Sequence, residues 1–284
     1  MAIQRQSQSS TSTMTLKQVL DRLKAHPAVD GILLVGTTDS DKLTPVSDYD
    51  ILIVLSGSPV PLHVGVTYID NRLTDLLFTT VNEVDQIIAK RQQFKPFTYL
   101  LSVARWLQTG NIVFDRTNLL HRAKDILQNT NLAAPPSEYD RYGICFGLNF
   151  DYRHNHRMAE SDDPVYQTAL DLRFCFTINN LFWGYFSLRS ILWEGEKNAV
   201  RYLEIHDPEF LRLVRQCLAE TERKVKVKLL ETIAEIVTAP AGCLWTGKPT
   251  AITIKDEGNP KPEDIEKALM FWEQLIGNVP TQGK

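Results

Sequence analysis

Two acidic residues, placed two positions apart at the start of an apolar run, are the clearest chemical signal in this 284-residue chain. Asp48 and Asp50 precede Ile51–Leu55, a run typical of a buried strand. Side chains at positions i and i+2 of a strand point to the same face, so the two carboxylates would lie side by side. Like charges at such short range repel unless a cation lies between them. The pair therefore indicates a divalent-metal site.

A glycine turn and a third acid accompany this pair. Gly36 permits close approach of the backbone, and the N–H groups that follow it, together with the Thr37 hydroxyl, can hold phosphate oxygens. Asp75 interrupts an apolar strand and shares one face of it with Leu73 and Leu77, an expensive position for an ionised group unless it is paired or bound to metal. Three carboxylates on neighbouring strands suit Mg²⁺, and two such ions can clamp the attacking and leaving oxygens of a displacement at phosphorus.

Two further acids compete with Asp75 for a role at this site. Asp70 stands beside Asn71, a pair typical of a tight turn. Glu83 follows Thr80 at the spacing of a helix capping box, which is the interpretation that we favour. The sequence therefore favours Asp75 as the third acid of the site.

The elements that must position these residues alternate in the first half of the chain and become helical in the second. The predicted class is α+β: a small mixed β-sheet domain with flanking helices, followed by an α-helical bundle domain. We predict a disordered leader at 1–13, a catalytic domain at 14–132 and, after the Ala-Ala-Pro-Pro stretch at 133–136, a helical domain at 137–284 with the active site in the cleft between the two. Strands are predicted at 32–35, 48–55, 63–69, 73–79 and 112–114, and helices at 16–26, 80–92, 96–110, 119–127, 139–158, 165–192, 208–221, 224–237 and 262–276.

Two stretches of the helical half could also carry function. The five polar residues of 153–157 are interpreted as a solvated helix face, with the lining of a cleft as the alternative. The aromatic residues between Phe174 and Phe186 are predicted to pack the helical core, with a shelf for adenine or a substrate as the alternative.

Composition restricts the class of protein. A net charge of −3 argues against broad nucleic-acid binding, which usually needs a basic field. The four cysteines are scattered without metal-ligand spacing, and no apolar stretch is long enough to cross a membrane. We therefore expect a cytoplasmic protein without membrane attachment, in which an oligomer is possible.

A set of three segments resembles the motif of the DNA polymerase β-type nucleotidyltransferase superfamily. The segments are Gly36-Thr37, Ser47-Asp48-Tyr49-Asp50 at the head of a strand, and Asp75 on a later strand. Thr37 stands where that family more often has serine. The resemblance covers roughly residues 14–125, and the helical half is similar, in architecture alone, to that of small-molecule nucleotidyltransferases such as the aminoglycoside-modifying enzymes.

This resemblance implies a reaction and a division of roles. Gly36, Thr37 and Ser47 would bind the nucleoside triphosphate, Asp48 and Asp50 would ligate Mg²⁺, and Asp75 would help to bind metal and draw the proton from the acceptor hydroxyl. Glu83 is the alternative general base, because some members of that family use a glutamate beyond the core strands. The expected cofactor is Mg²⁺, with two ions, and the expected donor is ATP or another nucleoside triphosphate. The expected acceptor is a small molecule. Nucleotidylation of a protein or of an RNA end, and a non-catalytic nucleotide-binding or interaction module, are the alternatives.

Overall fold

The computed structural model describes residues 14–36, 43–57, 60, 62–90, 93–94, 98–132, 134–242, 266–267, 269–271 and 274–275. The chain divides into two compact units, Met1–Leu132 and Ala133–Lys284. The predicted leader at 1–13 and the predicted phosphate-binding residue Thr37 lie outside the described residues.

The first unit is built on a five-stranded mixed sheet in the order β3-β4-β2-β1-β5. The central strand β2 runs parallel to β4 and antiparallel to β1, while β3 and β5 pair antiparallel with β4 and β1. The predicted α+β class with a small mixed sheet is confirmed. The strands are β1 (Val29–Val35), β2 (Tyr49–Leu55), β3 (Val64–Ile69), β4 (Arg72–Thr80) and β5 (Asn111–Asp115).

Both faces of the central strand are buried, because its residues Ile51 to Val54 are all apolar and all excluded from solvent. One face packs against α1, whose apolar residues recur at helical spacing from Leu16 to Leu23. Of the other helices of the unit, α2 contacts β4, α3 contacts β1 and α4 contacts β5. These helices are α1 (Leu16–Ala25), α2 (Val81–Lys90), α3 (Tyr99–Thr109) and α4 (Leu119–Leu127).

The second unit is helical in its described part and has its own hydrophobic core. Its longest helices, α5 and α6, begin at well-formed caps, since Ser137 and Asp140 form a capping box and Asp163 caps α6 ahead of a proline. Among the residues that the structure describes, no helix is both long and apolar enough to span a bilayer. The helices are α5 (Glu138–Ala159), α6 (Pro164–Leu188), α7 (Glu196–His206), α8 (Pro208–Ala219) and α9 (Arg223–Thr238).

The structure differs from the expected elements in two places within this unit. Helix α7 was not predicted: it begins after Gly195, which has a positive φ of 82°, and it buries only Ala199 and Leu203. The aromatic band is only partly core, because Phe174 and Phe186 are buried whereas Phe176 is 69% exposed. Within the helix predicted at 262–276, the residues that are described are helical.

Candidate functional site

Asp50 and Asp75 are direct neighbours on adjacent parallel strands. The register of β2 against β4 pairs Asp50 with Asp75, and the register of β1 against β2 pairs Asp50 with Val35. Val66 of β3 in turn pairs with Asp75. Since side chains of directly paired residues lie on the same face of a sheet, these four residues form one row across four strands, with the two carboxylates at its centre. We call Val35, Asp50, Asp75 and Val66 the carboxylate row.

Gly36 lies next to this row at the end of β1. Its φ of +73° is in the left-handed region, which glycine adopts without a steric penalty. A Cβ atom added to Gly36 would lie 3.5 Å from Oδ2 of Asp50, so the backbone after β1 and the carboxylate of Asp50 face a shared space. The glycine turn and the acid that the sequence linked are therefore brought together.

Asp48 lies just before β2, at the end of a turn that runs from Thr44 to Ser47. The N–H of Ser47 donates to the carbonyl of Thr44 (3.1 Å), and the N–H of Thr44 donates to the hydroxyl of Ser47 (2.9 Å). The side chain of Ser47, expected from the resemblance at the nucleotide, thus maintains the turn that leads into Asp48.

Arg72 contacts the same turn from the start of β4, an interaction that the sequence did not predict. Its Nη1 donates to the carbonyl of Thr44 (2.6 Å) and to the carbonyl of Ser47 (3.0 Å), and its guanidinium lies 5.8 Å from the centre of the Tyr49 ring. The only signal in the sequence was an arginine immediately after a predicted turn. Arg72 therefore links the hairpin between β3 and β4 to the segment that carries Asp48.

The rival acid Asp70 has a structural role, as its turn composition indicated. Asp70 and Asn71 form the two-residue connection between β3 and β4, with φ values of 52° and 59°. Turns of this kind need two residues that tolerate positive φ, which is the reason for an Asp-Asn pair here. Oδ2 of Asp70 also accepts the N–H of Leu16 (2.9 Å) at the start of α1.

Glu83 is a capping residue. Its Oε2 accepts the N–H of Thr80 (2.8 Å) and the hydroxyls of Thr79 (2.9 Å) and Thr80 (3.1 Å), and its own N–H donates to the Thr80 hydroxyl (3.2 Å). The predicted capping box is confirmed. Nearby, burial raises the pKa of Tyr99, whose hydroxyl donates to the carbonyl of Phe78, and the charge of Glu83 adds to that rise.

The donor chemistry of the carboxylate row fits Mg²⁺. Carboxylate oxygens are the hard ligands that this ion prefers, and Asp50 and Asp75 place two of them side by side with Asp48 close in sequence. Within the part of the chain that the structure describes, no three His, Cys, Asp or Glu side chains are already arranged to hold a metal ion. The expected grouping of Asp48, Asp50 and Asp75 around a metal ion therefore stays a prediction.

The helical unit contains a polar cluster centred on Asp151 and Arg173. Arg173 donates to Asp151 (2.8 Å) and to Asn155 (3.2 Å), Asn155 donates to Thr177 (2.9 Å), and Asn180 donates to Asp151 (2.9 Å). Asn155 is 1% exposed, so the interpretation of 153–157 as a solvated face is wrong at that position. Because these groups bond to one another between α5 and α6, the cluster joins the two helices.

No protein-family profile and no curated protein sequence matches the chain. Among solved structures, it is similar to a nucleotidyltransferase-like protein from Exiguobacterium sibiricum 255-15, with 16% identity, a TM-score of 0.37, and coverage of 78% of this chain and 73% of that chain. An identity and a TM-score this low support no conclusion about activity, so the case for a function rests on the carboxylate row.

Proposed function

We propose that the protein is a Mg²⁺-dependent nucleotidyltransferase that transfers NMP, in the first instance AMP from ATP, to a hydroxyl of a small-molecule acceptor. The observation that carries the proposal is the pairing of Asp50 with Asp75 on one face of the sheet, with Gly36 beside Asp50. The net charge of −3 favours a small acceptor over a polyanion such as RNA, because a polyanion would be repelled. We place the reaction in the cytoplasm, where ATP is available.

Asp48 and Asp50 would hold Mg²⁺, and Asp75 would share it. Bound Mg²⁺ supplies positive charge that neutralises the phosphate oxygens. Gly36, which lacks a side chain, lets the triphosphate approach the backbone, and the neighbouring Thr37 would donate its hydroxyl to a phosphate oxygen.

Asp75 would act as the general base. It takes the proton of the acceptor hydroxyl while that oxygen forms a bond to the α-phosphorus. The bond from the α-phosphorus to the oxygen that bridges to the β-phosphate breaks, and pyrophosphate leaves with the electron pair. Ser47 would contribute to nucleotide binding by maintaining the turn that leads into Asp48.

Nucleotide binding and pyrophosphate release by the full chain test this proposal. We expect calorimetry to show ATP binding that requires Mg²⁺ and disappears with a chelator. Incubation with α-labelled ATP, a cell lysate and added hydroxylated small molecules should release pyrophosphate and transfer label to a small molecule. Label on a protein band or on an RNA end would contradict the small-molecule acceptor. Absence of Mg²⁺-dependent nucleotide binding would contradict the enzyme and favour an interaction module.

Replacement of Arg72 by glutamine tests whether the contacts of Arg72 with the turn before Asp48 matter at the site. The change removes the donor that holds the carbonyls of Thr44 and Ser47, so the segment that carries Asp48 should lose its fixed position. Changes to groups that orient metal ligands typically cost about 10–100-fold in metal affinity or activity, and we expect a loss in that range. Titration of Mg²⁺ in the ATP-binding assay measures it.

Arg122 provides the matched control for this experiment. It is an exposed arginine of the same unit whose ion pair with Asp85 (2.9 Å) joins two surface side chains. Arg122→Gln should leave the Mg²⁺ dependence unchanged, since exposed ion pairs contribute little. Equal Mg²⁺ requirements in the Arg72 and Arg122 variants would show that the contacts of Arg72 with the turn have no role at the site.

A further inference from the structure

Among the residues that the structure describes, the edge strand β3 has none of the features that normally protect a sheet edge. Within the described residues β3 ends the sheet, and its sequence VGVTYI contains no charged residue and no proline. Its alternate residues Val64, Val66 and Tyr68 are 53%, 66% and 65% exposed. Natural edge strands are usually protected by charges, prolines, bulges or a covering element, because an open edge pairs with other chains. An apolar, uncharged and exposed edge therefore indicates a pairing surface.

The exposed side chains of β3 lie on the face that carries the acids. Val66 is paired with Asp75, and Tyr68 is paired with Leu73, itself a partly exposed apolar residue. Val64, two positions from Val66, points the same way. The apolar stripe thus continues the carboxylate row outward to the edge of the sheet.

We propose that β3 pairs antiparallel with β3 of a second copy of this chain, with Val66 opposite Val66 of the partner subunit. In this register Val64 faces Tyr68 of the partner subunit, so all three exposed apolar residues meet apolar residues. A register centred on Thr67 would instead set Val64 against Asp70 of the partner subunit.

Charge supports a second copy as the occupant. The strand carries no ionised group, so its two copies approach without like-charge repulsion. In the register centred on Val66, the nearest acid along the chain, Asp70, lies opposite Leu62 of the partner subunit rather than opposite another acid. The pairing is isologous, as the interface of a two-fold dimer must be.

The dimer would contain one continuous sheet with both sites on the same face. A two-fold axis perpendicular to the sheet relates antiparallel edge strands, and this operation preserves the face. Asp75 and Asp75 of the partner subunit would be separated by three strand spacings, about 14 Å. The exposed stripes of the two copies would form a shared apolar surface between the carboxylates. This inference does not depend on the proposed reaction.

Light scattering coupled to size-exclusion chromatography, across a range of loading concentrations, tests the dimer. The full chain should approach twice the monomer mass as concentration rises. Val66→Lys, which places a charge on each copy at the two-fold axis, should remain monomeric, and circular dichroism should confirm that it is folded. Leu218→Lys, which changes a residue that is also largely exposed (62%) on α8, should still dimerise. A wild-type chain that stays monomeric, or a Val66→Lys variant that dimerises equally well, would overturn the proposal.

Disulfide trapping tests the register. Val66→Cys, in a background with Cys175→Ser and Cys243→Ser, should form an intermolecular disulfide under mild oxidation, because directly paired residues have Cα atoms about 4.5–5.5 Å apart, within the range of a disulfide. Val64→Cys in the same background is the matched control. Its two copies would be about 13 Å apart along the strands and should not be linked. Equal trapping at both positions would contradict this register and indicate random collision.

Discussion

Asp75→Asn is expected to reduce the rate of pyrophosphate release by about 10²–10⁴-fold, the range that a positioned general base contributes. Asparagine keeps the size of the side chain but cannot accept the proton of the acceptor hydroxyl, and it lacks the charge that binds Mg²⁺. Because Asp75 is only partly buried and asparagine fits the same space, the sheet should remain intact. Steady-state assays of pyrophosphate release with saturating Mg²⁺ and ATP measure the effect.

Three further substitutions make this result specific. Asp50→Asn should lower the rate by about 10²–10³-fold, as expected when a charge that acts on the transition state is lost. Asp85→Asn, an exposed acid of the same unit, should leave the rate unchanged. Glu83→Gln should also retain activity, because Glu83 is committed to the cap of α2. If Glu83→Gln were the inactive variant and Asp75→Asn the active one, the general base would be Glu83.

Phe210→Ala should destabilise the helical unit by about 3–5 kcal/mol, the usual cost of deleting a buried aromatic ring. Phe210 is 1% exposed, and its ring stacks on Tyr185 with centroids 4.2 Å apart. Tyr185 in turn donates to Asp207 (2.8 Å) and carries the guanidinium of Arg189 4.0 Å from its ring centre. Loss of the Phe210 ring therefore leaves a cavity beside Tyr185 and the two residues that contact it. Urea unfolding followed by circular dichroism measures the change in the free energy of unfolding.

Leu218→Ala is the matched control for this measurement. It removes an apolar side chain from the same helix, α8, at a position that is 62% exposed. Exposed substitutions of this kind usually change stability by less than about 0.5 kcal/mol. Similar losses in the two variants would show that α8 does not pack as the structure indicates.

The sequence predicted the strands and the first-unit helices well because burial leaves a periodic pattern. The continuous apolar run after Asp50 is a direct consequence of burial on both faces of β2, and the consecutive apolar residues Leu76 to Phe78 mark β4 in the same way, so both strands were found. Helix α7 was not predicted because it lacks such a pattern. It buries only Ala199 and Leu203, which is too few apolar positions to form a recognisable stripe.

The candidate site was predictable in its residue types but not in its geometry. The acid pair at i and i+2 beside a glycine indicates candidate residues, but Asp48 lies before β2, so the shared face that the sequence predicts for Asp48 and Asp50 stays a prediction. The pairing of Asp50 with Asp75 depends on the register of two strands that are distant in the chain, and no local pattern encodes it. The hydrogen bonds of Arg72 to the turn could not be predicted either, because their acceptors are backbone carbonyls, which every residue has.

The parallel register of β2 and β4 has a consequence for how this chain tolerates change. Inserting or deleting a single residue within β4 would turn the strand over, because successive side chains alternate between faces. Asp75 would then enter the apolar cluster beneath α1, while Leu76 and Phe78, which pack there, would move to the opposite face. The packing of the hydrophobic core therefore determines the alignment of the two acids. A sheet with a shifted register would lose apolar contacts and would be less stable, whatever its activity. Correct alignment of Asp50 and Asp75 follows from correct folding, even if neither acid stabilises the fold.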